Sequence, residues 1–123
     1  MPITIRPIEQ KDNPILAELI RTVFREFNID MPGTVYTDPT TDSLCELFAT
    51  PLSKYWVAEE NGVLLGGCGI YPTKNLPDGC VELVKLYLSH ASRGKGIGRE
   101  LMQKCIDTAR EFGFRQMYLE SFP

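Results

Sequence analysis

No C-x-x-C pair occurs in this sequence, and its four cysteines, Cys45, Cys68, Cys80 and Cys105, stand at wide and unequal spacings. That arrangement argues against a zinc site and against a disulfide framework, so reduced, mostly buried thiols and no metal are expected. Histidine is nearly absent; the single residue, His90, reads as part of a loop. No apolar run is long enough to span a bilayer, and the N-terminus, Met1-Pro2-Ile3-Thr4-Ile5-Arg6, lacks a basic region followed by an apolar stretch. A soluble, cytoplasmic protein without membrane contacts is the expectation. Positive charge is not in excess either: the formal net charge of -3 disfavours nucleic acid as the main ligand. Internal repeats, low-complexity tracts and linkers are missing too, so residues 1-123 are read as one domain.

What remains is ordinary globular composition, 43% hydrophobic and 24% charged, enough to bury a real core. Ile3 to Ile8 alternates apolar and polar like a half-buried strand closed by Pro7. A helix follows, with Asp12 or Asn13 as its cap, Pro14 in its first turn and a stripe of Ile15, Leu16, Leu19, Ile20, Val23, Phe24 and Phe27. Residues 28-41 form a turn-rich loop, and Asp42 to Thr50 a short second helix with Leu44, Leu47 and Phe48 inward. Residues 55-71 read as a hairpin, because Asn61-Gly62 supplies the positive φ angles of a type I′ turn. Gly66, Gly67 and Gly69 in its second strand point to a bulge or to a close backbone approach.

The chain is organised around residues 81-112: an apolar strand VELVKLYLS, a tether His90-Ala91-Ser92, the loop Arg93-Gly94-Lys95-Gly96-Ile97-Gly98, and a third helix to about Phe112. A last strand spans Gln116 to Ser121. The expected fold is α/β, in the order β-α-α-β-β-β-α-β, with a mixed, mostly antiparallel sheet and helices on both faces. A helix that opens on glycines presents unpaired N–H groups at the positive end of its dipole, which suits a phosphate. Arg93, Lys95 and Arg99 surround that point with positive charge. Neither G-x-x-x-x-G-K-[ST] nor G-x-G-x-x-G fits; Arg99 stands where the third glycine of the second motif belongs.

The string that does fit is R-x-x-G-x-G. With LVKLYLS before it, an amphipathic helix after it and a GF-x-x-x-YLE strand at the end, it resembles the acetyl-coenzyme A motif of the GNAT superfamily of N-acetyltransferases. The resemblance implies acetyl-CoA as acyl donor. It implies that the amides of Arg93, Gly94, Lys95, Gly96, Ile97, Gly98 and Arg99 hold the pyrophosphate. It also implies that Leu86, Tyr87 and Leu88, in a splayed strand, pair with the pantetheine arm. His90 stands where the family often has proline. The acceptor implied is a primary amine on a small molecule or a peptide, attacking directly in a ternary complex.

Such a transfer needs a base for the amine and a donor for the developing oxyanion. Strict alternation places Glu82, Val84, Leu86 and Leu88 on one face, and Val81, Leu83, Lys85 and Tyr87 on the other. Glu82 on that apolar face is the general-base candidate, since desolvation would make it a stronger base. A solvent-facing glutamate, or one paired to a basic side chain, is the competing reading. Glu120 is a second candidate; Tyr87 reads as a core aromatic and Lys85 as an ion-pair partner. By resemblance, the oxyanion donor is a backbone N–H near Leu86. Thr34, Tyr36, Asp38 and Asp42 lie where the family shapes its acceptor pocket, and acidic groups there would suit a cationic amine.

Family members continue past the strand at Pro123 with another helix, often bearing a tyrosine for the leaving thiolate, and more strands. The domain is therefore expected to be C-terminally incomplete, either a fragment or a short member completed by a partner chain, as in a homodimer. Two other functions stay open: a non-catalytic acyl-CoA binding or regulatory module, and a nucleotide-binding regulatory domain.

Overall fold

The structure, a computed structural model, describes residues 3-30, 32-33 and 37-119. Its elements are β1 (Thr4–Pro7), α1 (Asn13–Glu26), α2 (Leu44–Leu47), β2 (Lys54–Glu60), β3 (Val63–Tyr71), β4 (Cys80–Leu88), α3 (Ile97–Glu111) and β5 (Gln116–Leu119), with short 3-10 turns at Gln10–Asp12, Pro39–Ser43 and His90–Ser92. The five strands lie in sequence order in one sheet. Pairs β1–β2, β2–β3 and β3–β4 are antiparallel, and β4–β5, joined by the crossover helix α3, is parallel.

The turn at Asn61-Gly62 has φ of 53° and 79°, and it sets Glu60 opposite Val63 as a two-residue hairpin requires. The two sheet faces carry separate cores. On one, α1 and α2 pack Leu16, Ile20, Phe24, Leu44 and Phe48 against Tyr55, Val57 and Leu64. On the other, α3 packs Ile97, Leu101, Cys105 and Ala109 against Ala58, Cys68, Ile70, Val81 and Leu83. Strands β2, β3 and β4 feed both cores; in β2, by its period of two, Tyr55 and Val57 face α1, while Trp56 turns to α3 and donates its indole N–H to Thr108 at 3.0 Å.

Two local expectations are corrected. Neither Asp12 nor Asn13 caps α1 through its side chain: Asp12 accepts two bonds from Arg6, at 2.8 and 2.9 Å, and one from the Glu9 N–H at 2.8 Å. Asn13 instead accepts from the Cys45 N–H and donates to Glu46, both in α2. The stripe of α1 is narrower than the sequence indicates, with Ile15 51% and Phe27 59% exposed at its margins. Among the described helices, none is long and apolar enough to cross a membrane.

Candidate active site

The glycine loop has the backbone its sequence demands. Gly94 and Gly96 sit at φ of 78° and 79°, in the left-handed region closed to most side chains, and Gly96 is the N-cap of α3. A Cβ on either would meet nothing within 4 Å, so the space above the loop is open. The first helical bond runs from the Glu100 N–H to the Gly96 carbonyl at 3.2 Å. The amides of Ile97, Gly98 and Arg99 precede it and have no acceptor within the helix. They stand at the positive end of a 15-residue dipole. Lys95 and Arg99 are exposed around this point, but Arg93 is not: its guanidinium turns toward α1 and donates to Glu26 at 2.7 Å.

The strand before the loop breaks its alternation. Across β3–β4, Gly67 faces Tyr87 while Gly69 faces Val84, so Lys85 and Leu86 together oppose Cys68. Lys85 takes the extra step with φ of 54°. The face assignment made by strict alternation is therefore corrected: Val84 and Tyr87 pack toward α1, whereas Leu86 and Leu88 join the α3 core with Val81 and Leu83. Beneath the bulge lies Tyr55, whose hydroxyl donates to the Lys85 carbonyl at 2.8 Å. A Cβ on Gly67 would lie 2.4 Å from the Tyr55 ring, and one on Gly69 2.7 Å. Both readings of the glycine cluster thus hold, because it faces a bulge and it makes room for a ring.

Beyond the bulge, β3 bonds β4 on one side only. β5 pairs with Cys80–Leu83, and among the described residues nothing pairs with residues 84-88 on that edge. An extended chain laid there would meet backbone groups that no described residue takes, and would run from the bulge to the amides at the head of α3.

Glu82 stands three residues before Lys85, about 10 Å along the strand. It is half-buried, in register with Tyr71 on β3 and Tyr118 on β5. Its partner is not a basic side chain: the Thr73 hydroxyl donates to its Oε1 at 2.6 Å. The sequence marks neither Thr73 nor Tyr55 as a site residue, since each acts across a strand pairing or a turn and carries no local signal. Burial pushes Tyr87 up to about 12 and holds it protonated, its ring 5.9 Å from Phe24. Burial lowers Lys85, which Asp38 opposes through space. No ion pair joins Lys85 to a described residue. Asp38 caps a turn by accepting from Thr40, and Asp42 accepts two bonds from Arg21, at 2.7 and 3.0 Å. Thr34, Tyr36 and Glu120 lie outside the described residues. Among the described residues no cluster of three His, Cys, Asp or Glu could hold a metal.

Residues 20-123 match the Acetyltransferase (GNAT) family. The chain belongs to that family. An N-acetyltransferase of Escherichia coli K12, the uncharacterised YjgM, is 36% identical over 118 residues, covering 95% of this chain and 71% of YjgM. A GNAT-family acetyltransferase of Staphylococcus aureus Mu50 superposes with a TM-score of 0.85 at 23% identity, over 98% of this chain and 75% of that one. A Clostridium acetobutylicum acetyltransferase solved with acetyl-CoA superposes with a TM-score of 0.77 at 21% identity, over 98% and 81%. These two likenesses establish the GNAT fold, including the mostly antiparallel sheet between two helical layers.

Proposed function

We propose that this chain is an acetyl-CoA-dependent N-acetyltransferase, acting as one domain on a primary amine of a small molecule or peptide by direct attack in a ternary complex. The observation that carries the reading is the continuity of two features: the edge of β4 at residues 84-88, which no described residue pairs, leads into a loop whose amides at Ile97, Gly98 and Arg99 lack intrahelical acceptors. Acetyl-CoA fits such a surface, since its pyrophosphate needs convergent N–H donors with no Cβ in the way, and Gly94 and Gly96 leave that room. Arg93 to Arg99 hold the phosphates mainly through backbone, with Lys95 and Arg99 adding positive charge. Leu86, Tyr87 and Leu88 offer their backbone to the pantetheine amides.

The donor supplies an activated thioester; the chain supplies position and proton handling. Glu82 accepts the proton of the amine, directly or through a water, and the Thr73 hydroxyl fixes its carboxylate. A backbone N–H near Leu86, made available where the bulge interrupts the ladder, stabilises the oxyanion. Release of thiol from acetyl-CoA, followed with a thiol-reactive dye across a panel of small and peptide amines, tests the reading. Amine-dependent release supports it. Saturable acetyl-CoA binding with no release on any amine would make the chain a non-catalytic acyl-CoA module instead.

A further inference from the structure

Arg93 has the sequence position of a phosphate ligand and the contacts of a brace. Its Nη2 donates to Glu26 Oε1 at 2.7 Å and to the Leu88 carbonyl at 3.1 Å, and its Nη1 lies 3.4 Å from His90 Nδ1. The guanidinium carbon also stands 5.1 Å from the centre of the Phe27 ring, which accounts for an aromatic left 59% exposed. These contacts tie three parts together: Leu88 ends β4, Arg93 opens the glycine loop, and Glu26 ends α1.

We infer that Glu26 is a positioning residue for the donor site: it holds the Arg93 guanidinium on the Leu88 carbonyl, and so fixes the angle between the end of β4 and the amides at the head of α3. The inference rests on the reading of that loop as the acetyl-CoA site. Geometry and plain electrostatics predict opposite outcomes here. Glu26 is an anion near a site for an anionic ligand, so if charge alone mattered, neutralising it would tighten binding. If Glu26 acts through Arg93, neutralising it loosens the loop and weakens binding. The ion pair is partly exposed, each side chain about 30% accessible, so the expected loss is moderate.

The test is Glu26→Gln, Arg93→Gln and the double variant, each titrated with acetyl-CoA by calorimetry, with hydrogen exchange of the 93-99 amides measured on the free proteins. Glu26→Gln is expected to raise the Kd and KM for acetyl-CoA about fivefold, to leave kcat and Tm unchanged, and to accelerate exchange in the loop. The same substitution in the Arg93→Gln background is expected to add nothing. Glu18→Gln, whose side chain bonds Arg25 and Thr22 on the same helix, is the control and stays at wild-type values. Unchanged or tighter binding by Glu26→Gln, or an effect of equal size without Arg93, overturns the inference. Faster loop exchange in Glu26→Gln together with no acetyl-CoA binding by the wild type keeps the brace and removes the donor reading.

Discussion

The hydroxyl of Tyr55 on β2 donates to the carbonyl of Lys85 on β4 across the intervening strand, at 2.8 Å. The ring can reach that far because Gly67 and Gly69 on β3 leave out the Cβ atoms it would strike. Three strands therefore cooperate to hold one left-handed residue, and the face on which Leu86 and Leu88 emerge depends on it.

Removing that hydroxyl with Tyr55→Phe leaves a carbonyl without its partner in a dry place, Tyr55 being 1% exposed. A loss of about 1–3 kcal/mol in unfolding free energy is expected from urea titration. Acetyl transfer should fall further than stability explains, because the bulge loses its anchor. Full activity in a folded Tyr55→Phe protein would detach the bulge from catalysis.

The loop glycines should separate by backbone rather than by space. Gly96→Ala meets no atom but must hold φ near 79°, at a strain of about 1–2 kcal/mol. Gly98→Ala has ordinary helical geometry and meets only the flexible end of Leu88 at 3.3 Å. Thermal denaturation should show Gly96→Ala destabilised and Gly98→Ala neutral or stabilised by up to about 1 kcal/mol.

Glu82→Gln keeps the shape of the side chain and can still accept from Thr73, but cannot take a proton from an amine. A fall in kcat of about 10²–10⁴ is expected, with loss of the limb of the pH–rate profile that depends on a base. An unaltered profile would remove Glu82 from that role.

Asp12 supplies a pH signature remote from the site. Desolvation pushes its carboxyl up, but the bonds from Arg6 and the Glu9 N–H pull it down further, and the net direction is below the usual carboxylate range. A lowered folded value means stability that is present above about pH 4 and lost as pH falls through the folded value. Asp12→Asn should thus cost most at neutral pH, and its urea midpoint should converge on that of the wild type as the pH falls below the usual carboxylate range. Parallel curves down to low pH would contradict the assignment.

Much of this architecture is legible in the sequence because its signals are local. Asn61-Gly62 fixes a turn within four residues, and the glycines of 94-98 announce both a left-handed entry and a helix start. The bulge is different. Lysine gives no hint of a positive φ, so only the glycines on the facing strand betray it, and a one-residue slip inverts the faces of Leu86 and Leu88. Arg93 misleads in the same way: its neighbours suggest a phosphate, but its partner Glu26 is 67 residues away. Asp12, a natural cap by position, is taken by Arg6 from the first strand. Where the reading fails, a contact between distant segments has overridden a local preference.

In the proposed function, the edge of β4 and the head of α3 together form one donor site. Calorimetric titration of acetyl-CoA into the wild-type chain and into Gly96→Val measures it most directly. A single saturable site, displaced by coenzyme A and markedly weakened by Gly96→Val, is the predicted result; no saturable binding at millimolar acetyl-CoA, or binding indifferent to Gly96→Val, would contradict it.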